Sequence, residues 1–204
     1  MKTNIEPLQA DSYYHIYNRG INGENIFKEE RNYAYFLEKY TQFISPIADT
    51  YAYCLLRNHF HIIIRTRSES DIKQLVLNTK NAEKNISWIL SNAFASFFKS
   101  YAQAINKSYK RTGALFEEPF RRIIVEGDDY FTELVYYIHH NPSKHGFINN
   151  FREYKHSSYQ SHLRTATTKL RREEVLEWFG GRENYEKFHA KNDALDNLDK
   201  FDIE

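Results

Sequence analysis

The chain has 204 residues and a formal net charge of +1, with 41% hydrophobic and 27% charged residues. This composition is typical of a folded globular protein; it excludes a disordered chain and a globally basic nucleic-acid binder, but it allows a local basic patch. The single cysteine excludes an internal disulfide and a Cys-rich zinc site. No apolar run approaches the roughly 18–20 residues of a membrane span, and no signal-peptide pattern is present, so we expect a cytoplasmic protein without a membrane partner.

The N-terminal part of the sequence predicts three strands and two helical segments. Aromatic residues from 13 to 18 predict the first strand, which turn-forming glycines follow. Residues 29–44 carry apolar side chains at helical spacing and predict a helix. Two apolar strands, at 50–56 and 59–66, come next, and a helical region begins at Ser70.

The C-terminal part begins with the clearest amphipathic helix, at 85–107. A loop follows, and residues 121–125 predict a fourth strand. The next helix, at 128–141, is expected to end there because a residue that precedes proline is disfavoured in the α conformation. Residues 170–190 predict two short helices separated by a pair of glycines.

The order strand, helix, strand, strand, helix, strand, helix predicts an α+β fold. We expect a ferredoxin-like or RRM-like sandwich with a four-stranded antiparallel sheet and helices on one face. The other face of such a sheet is open for a ligand. Residues 161–204 predict a small helical C-terminal extension that ends in an acidic tail.

Two histidines in the third predicted strand form the first candidate site. His59 and His61 point to the same face as Arg65, because successive side chains of a strand alternate between faces. Their Cα atoms are expected to lie roughly 6–7 Å apart, which suits two ligands of one metal ion. Exposed or hydrogen-bonded strand histidines are the alternative interpretation.

The helix before the Asn-Pro pair carries the second candidate. Tyr137 and Asn141 are four residues apart and share one helix face. A tyrosine hydroxyl is a feasible covalent nucleophile, although its ordinary pKa near 10 keeps it protonated at neutral pH. The carbonyl oxygen of Asn141 is a candidate third metal ligand, and His140 competes for that role. Helix packing by Tyr137 and capping by Asn141 are the alternatives.

Basic and aromatic residues are interleaved between residues 107 and 122. Arginine and lysine neutralise phosphates, and aromatic rings stack on unpaired bases. Glu117 and Glu118 interrupt the pattern, so a solvated loop is the alternative interpretation. The residues predicted to contact nucleic acid are Arg19, Arg65, Lys110, Arg111, Arg121 and Arg122.

Five segments occur together in a fixed order between residues 13 and about 160. They are Tyr14-His-Ile-Tyr-Asn-Arg-Gly20, Ala52-Tyr-Cys-Leu-Leu-Arg-Asn-His-Phe-His-Ile-Ile-Ile64, Arg111-Thr-Gly-Ala-Leu-Phe116, Tyr137-Ile-His-His-Asn-Pro142 and His156-Ser-Ser-Tyr159. With these segments the chain resembles the single-tyrosine transposases that carry a His-hydrophobe-His motif, and the REP-associated branch of that family above all. It departs from the family pattern at Glu117-Glu-Pro-Phe120, where the family commonly has Gln-Gly-Arg-Phe, and at Arg57, where proline is frequent.

The resemblance implies a catalytic domain over residues 1–160 that acts on single-stranded DNA with a hairpin. Tyr137 would attack a phosphodiester, giving a 5′-phosphotyrosyl intermediate and a 3′-OH, and the strands would then be rejoined during transposition. His59, His61 and Asn141 would hold Mg²⁺ or Mn²⁺. The resemblance implies a monomer or a homodimer. Two other functions remain open from the residues alone: a metal-dependent hydrolase and a non-catalytic or domesticated nucleic-acid-binding protein.

Overall fold

The computed structural model describes residues 6–191, apart from the side chains of residues 128 and 129. Within this range the strands are Tyr13–Arg19 (β1), Ala48–Leu55 (β2), His59–Thr66 (β3) and Arg121–Ile124 (β4). They form one antiparallel sheet in the order β2-β3-β1-β4. The predicted α+β fold with a four-stranded antiparallel sheet is confirmed.

The helices of the described range are Glu30–Phe43 (α1), Glu69–Val76 (α2), Ile86–Ser108 (α3), Asp128–Lys144 (α4), Tyr159–Leu163 (α5), Arg172–Trp178 (α6) and Arg182–Lys191 (α7). Short 3-10 turns lie at Ile21–Gly23 and Phe151–Glu153. Helix α5 is not predicted by the sequence patterns, and the others begin and end within a few residues of expectation, with one exception. None of these helices combines the length and the apolar character that a bilayer crossing requires.

The exception is the end of α4, where the prediction was wrong. The helix passes through Pro142 and ends at Lys144, beyond the expected stop near Asn141. A proline inside a helix removes the hydrogen bond to the carbonyl four residues earlier. Here it does so in the last turn, where little helix remains to be disrupted, and packing of the buried face of α4 outweighs the local preference.

Polar side chains fix the starts of three helices. The side chain of Asn85 accepts a hydrogen bond from the backbone N–H of Trp88 at 2.8 Å, at the first turn of α3. Ser68 does the same for α2, and Glu29 forms a capping box with Asn32 at α1. Each such cap contributes about 1 kcal/mol of helix stability.

Strand alternation divides the sheet into two faces. On one face, Ile16 of β1 and Phe60 and Ile62 of β3 form a hydrophobic core with α1 and α3. Helix α3 contributes a stripe of aromatic side chains to this core, which includes Phe94 and Phe97. This is the face on which the sequence predicts helices.

The other face, expected to be open, is covered over β2 and β3. Ala52 and Ile63 of the sheet belong to a second core, with Ile138 of α4, Val175 of α6 and Tyr185 of α7. Residues on both sides of position 160 therefore contribute to one core, and a domain boundary at that position stays a prediction. The predicted acidic tail beyond residue 191 lies outside the described residues. Covering this face brings Tyr137 of α4 close to the sheet histidines His15 and His61.

Candidate nucleophile and metal-ligand site

The site begins with the pairing of β1 and β3. Tyr17 lies opposite His61, and Arg19 lies opposite His59. Because directly paired side chains of an antiparallel ladder share a face, Tyr17 and His15 point to the same side as both predicted histidines. Alternation along β1 puts His15 and Tyr17 on one face, but only the pairing of β1 with β3 shows that this is the face of His59 and His61, so neither residue was predicted.

The ring of His61 is held between neighbours on β1. Its Nδ1 lies 2.9 Å from the Nε2 of His15, in a buried hydrogen bond. The ring of Tyr17 stacks on it with ring centres 5.9 Å apart and an interplanar angle of 16°. The Nε2 of His61 is buried and has no hydrogen-bond partner among the described residues. One nitrogen of His61 is thus fixed by the protein, and the other is available as a ligand.

The orientation of His59 is set by its neighbour along the chain. The Nδ1 of His59 lies 2.8 Å from the Oδ1 of Asn58. Since an amide oxygen only accepts, His59 donates from Nδ1, and its Nε2 then carries the lone pair. The His59 ring lies 5.3 Å from that of His61 and 4.9 Å from that of His145, which follows α4.

Burial keeps these rings neutral. Loss of hydration lowers the pKa of His15 to about 3. The pKa of His59 is also lowered to about 3, first by burial and then by the neighbouring His145 and Arg19. Burial is the main reason why the pKa of His61 lies well below its ordinary value, and the other histidines add to the effect. A neutral imidazole has the lone pair that a metal ion requires.

Helix α4 places the candidate nucleophile over the histidines of its own chain. Tyr137 is only 1% exposed, and its ring centre lies 5.6 Å from that of His61 and 6.4 Å from that of His15. The Nζ of Lys144, two turns later on α4, lies 5.4 Å from the centre of the Tyr137 ring. The ammonium group of Lys144 therefore lies over the face of the Tyr137 ring.

Asn141 is fully buried one turn after Tyr137. Its Nδ2 donates to the backbone carbonyl of Tyr137 at 2.9 Å, which fixes the orientation of the amide. Its Oδ1 is buried and has no hydrogen-bond partner within residues 6–191. The competing residue, His140, instead stacks its ring on Tyr136 at 5.4 Å.

Several atoms around Tyr137 are candidate ligands of a divalent ion. No group of three or more His, Cys, Asp or Glu side chains in the described part of the chain is arranged to hold a metal by itself. However, the Nε2 of His61 and the Oδ1 of Asn141 are buried lone-pair donors that have no hydrogen-bond partner within residues 6–191. A mixed set of imidazole nitrogen and amide oxygen is suitable for a divalent cation, so the residues fit the predicted group.

Two arginines lie at the open side of the site. Arg19 donates from Nε to Glu117 at 2.7 Å, and Arg121 lies 3.9 Å from the other oxygen of the same carboxylate. Together with His59 and His61 these residues line a cavity of about 20 Å³, room for one or two water molecules. A larger cleft of about 510 Å³ continues past His59, Arg19 and Glu117. Two of the predicted phosphate-binding residues are therefore beside the histidines, already paired with a carboxylate.

The other predicted basic residues are not brought to this site. Arg111 is bound by Asn106 and Glu24, and its side chain is only 14% exposed. Arg122 points to the opposite face of the sheet, where its Nε donates to the backbone carbonyl of residue 6 at 2.8 Å. Arg65 is at the far end of β3 and pairs with Asp11 at 3.4 Å. Lys110 is exposed in the loop after α3.

No protein-family model and no curated protein matches the chain. Among solved structures, the chain is similar to a REP-associated tyrosine transposase bound to a REP hairpin. The TM-score is 0.58 at 12% sequence identity, and the match covers 83% of this chain and 89% of the other. At this identity the likeness establishes a shared fold.

Proposed function

We propose that the chain is a tyrosine transposase of the His-hydrophobe-His class that cleaves and rejoins single-stranded DNA. The observation that carries the proposal is the packing of Tyr137 against His61 of the same chain, with ring centres 5.6 Å apart. A nucleophile beside a pair of neutral imidazoles is the arrangement that metal-assisted phosphodiester cleavage needs. The shared fold with a transposase bound to a DNA hairpin supports the same function.

In the proposed reaction, the hydroxyl oxygen of Tyr137 attacks the phosphorus of a phosphodiester. The bond from tyrosine oxygen to phosphorus forms while the bond to the 3′ oxygen breaks. The tyrosine loses its proton, and the departing oxygen gains one to give a 3′-OH. The ammonium group of Lys144 stabilises the negative charge that develops on the phenol. Because the phosphotyrosyl bond replaces a phosphodiester, attack by a 3′-OH can rejoin the strands.

His59, His61 and Asn141 are the proposed ligands of a divalent ion, Mn²⁺ or Mg²⁺. When bound, the ion supplies positive charge that polarises the phosphoryl oxygens. The ring of His140 packs against Tyr136 and Phe151, whereas Asn141 is hydrogen-bonded to the backbone of Tyr137, and this favours Asn141 as the third ligand. Imidazole is a softer ligand than the oxygens that Mg²⁺ prefers, so Mn²⁺ is the better probe of the site.

The proposed partner is single-stranded DNA with a hairpin, bound through Arg19 and Arg121. Both guanidinium groups are paired with Glu117, so a DNA phosphate must displace that carboxylate. We assign catalysis to residues 1–160 and a supporting role to the extension at 161–204, and we propose a cytoplasmic location. Tyr137 contacts histidines of its own chain, which supports cleavage within one subunit, whether the protein is a monomer or a homodimer.

Covalent capture tests the proposal. Labelled single-stranded DNA from the flanks of the gene, with its hairpin, is incubated with the protein and Mn²⁺ and separated on a denaturing gel. We expect a metal-dependent protein–DNA band that Tyr137→Phe abolishes. The matched control is Tyr136→Phe, which removes the same hydroxyl from the adjacent buried tyrosine and should retain the band.

Two outcomes contradict the transposase proposal and favour another function. Metal-dependent cleavage without a covalent band, unchanged in Tyr137→Phe, indicates a hydrolase in which water attacks. Hairpin binding without metal dependence or cleavage, unaffected by His59→Ala, indicates a nucleic-acid-binding protein without this activity.

A further inference from the structure

His15 is a buried polar residue to which the proposed reaction assigns no role. It lies on β1, two positions before Tyr17, and is 1% exposed. Its ring is nearly parallel to that of His61, with centres 5.1 Å apart and an interplanar angle of 28°. The Nε2 of His15 and the Nδ1 of His61 are 2.9 Å apart. His15 is therefore in direct contact with the candidate metal ligand His61.

The explanation lies in the position of one proton. A neutral imidazole carries a single N–H, and a metal ion binds the nitrogen that lacks it. The Nε2 of His61 is the buried nitrogen without a hydrogen-bond partner among the described residues. To bind through Nε2, His61 must carry its proton on Nδ1, where the Nε2 of His15 can accept it.

We propose that His15 is a positioning residue that accepts the Nδ1 proton of His61 and so presents the Nε2 of His61 to the divalent ion. This inference rests on the metal site of the proposed function. Metal-bound histidines usually donate their second nitrogen to a carboxylate, a backbone carbonyl or water. Here a neutral imidazole takes that role, so no additional negative charge enters the site.

The neighbouring histidine shows the same arrangement with a different acceptor. The Nδ1 of His59 faces the amide oxygen of Asn58, 2.8 Å away. Both predicted ligands therefore have Nδ1 engaged by an uncharged side chain, which leaves Nε2 of each ring as the ligand atom. An amide oxygen can only accept, whereas His15 accepts at Nε2 only while its own proton is on Nδ1. The tautomers of His15 and His61 are consequently linked.

The first test measures binding of Mn²⁺ alone to the full chain by electron paramagnetic resonance, without DNA. His15→Phe retains a ring but removes the acceptor, and we expect it to weaken Mn²⁺ binding by roughly 10–100-fold. His15→Gln restores a carbonyl acceptor and should bind within about threefold of the wild type. The control is His156→Phe, which changes a histidine that stacks on Tyr33 away from the site. Equal Mn²⁺ binding by His15→Phe and the wild type, or no saturable binding by the wild type, would overturn the inference.

The second test needs no variant that might fail to fold. Nitrogen-15 NMR of the wild type with Mg²⁺ should show His61 protonated on Nδ1, with a coupling across the hydrogen bond to the Nε2 of His15. Protonation of His61 on Nε2 contradicts the inference. Neither test involves DNA cleavage, so a failure here is distinct from absence of the covalent band in the Tyr137 experiment.

Discussion

The molecule contains two groups of buried histidines, which differ in how their nitrogens are satisfied. The sheet histidines are His15, His59 and His61, and the helix histidines are His139 and His189, on α4 and α7. His162 on α5 belongs to neither group, because both of its buried nitrogens lack a hydrogen-bond partner among the described residues. His139 bonds to Ser158 at 2.7 Å and to His189 at 3.1 Å, and His189 also bonds to the backbone carbonyl of Tyr185. In the sheet group, by contrast, the Nε2 of His61 has no such partner among the described residues.

The difference teaches how to separate a supporting histidine from a candidate ligand when both are buried. Burial alone does not distinguish the groups, because all five rings are largely removed from solvent. The number of hydrogen-bonded ring nitrogens distinguishes the groups. A ring with both nitrogens bonded to protein stabilises the fold, whereas a ring with one nitrogen bonded presents the other to a ligand. Three experiments can break or sharpen this comparison.

The largest expected effect comes from exchanging one histidine of each group for alanine. His61→Ala should lower Mn²⁺ affinity and the yield of the covalent DNA band by roughly 100-fold or more, because it removes a proposed ligand. His139→Ala removes the same side-chain volume and should leave Mn²⁺ binding unchanged. Since His139 makes more protein hydrogen bonds than His61, its loss should lower the free energy of unfolding by about 1 kcal/mol more than His61→Ala. Denaturant unfolding and Mn²⁺ titration of both variants check this, and equal effects on Mn²⁺ binding would contradict it.

A smaller effect is expected from acid. Burial is the main cause that lowers the pKa of His162 and of His189 from 6.5 to about 3, and the nearby Arg172 and Arg152 act in the same direction. The unfolded chain therefore binds more protons below pH 6.5, so stability is fully present above that pH and is lost as the pH falls toward 3. Each ring should lower the free energy of unfolding by roughly 2 kcal/mol as the pH falls from 7 to 5.

The variant that tests this pH dependence is His162→Leu, which removes one titrating ring. Its unfolding free energy, measured by denaturant titration from pH 7 to pH 5, should fall less steeply than that of the wild type. The difference in slope should approach one proton, or about 1.4 kcal/mol per pH unit. Identical slopes would show that His162 is not protected from protonation in the folded chain.

The smallest effect concerns the open side of the sheet group, where Glu117 pairs with Arg19 and Arg121. Glu117→Gln should tighten binding of single-stranded DNA by about fivefold at low salt, because a phosphate no longer has to displace a carboxylate. Glu118→Gln changes the net charge by the same amount at the next residue and should have less effect. Fluorescence anisotropy with labelled DNA measures both affinities. An equal gain in DNA affinity for the two variants would show that only the change in net charge matters, and not the position of Glu117.

Much of the fold could be predicted because strand alternation and helical spacing are visible in short stretches of the sequence. Alternation along β3 predicted that His59 and His61 share one face of the sheet. Helical spacing predicted that Tyr137 and Asn141 share one face of a helix. What local patterns do not contain is the pairing between distant segments. The contact of His15 with His61 depends on the register of β1 against β3, which joins residues 46 positions apart. That is why His15 was missed although its strand was predicted.

The same limit applies to the surroundings of Arg111 and to the second face of the sheet. That Arg111 contacts nucleic acid stays a prediction, and in the structure its guanidinium is paired with Glu24, a partner from the distant N-terminal segment. The second sheet face was expected to be open, but α4 covers it, and Ile138 of α4 lies in the same hydrophobic core as Ile63 of β3. In both cases the outcome depends on contacts between segments that are distant in the sequence, and the residue type alone does not predict those contacts.

The hydrogen bonds of His139 have a consequence for any exchange of segments between two copies of the chain. They join α4 to Ser158 at the start of α5 and to His189 on α7. If α4 crossed to a second copy alone, both bonds would break and polar atoms would be left buried without partners, at a cost of about 1–3 kcal/mol for each. The unit that can exchange intact therefore runs from α4 to α7, and Tyr137 would move with the whole C-terminal part rather than on one helix.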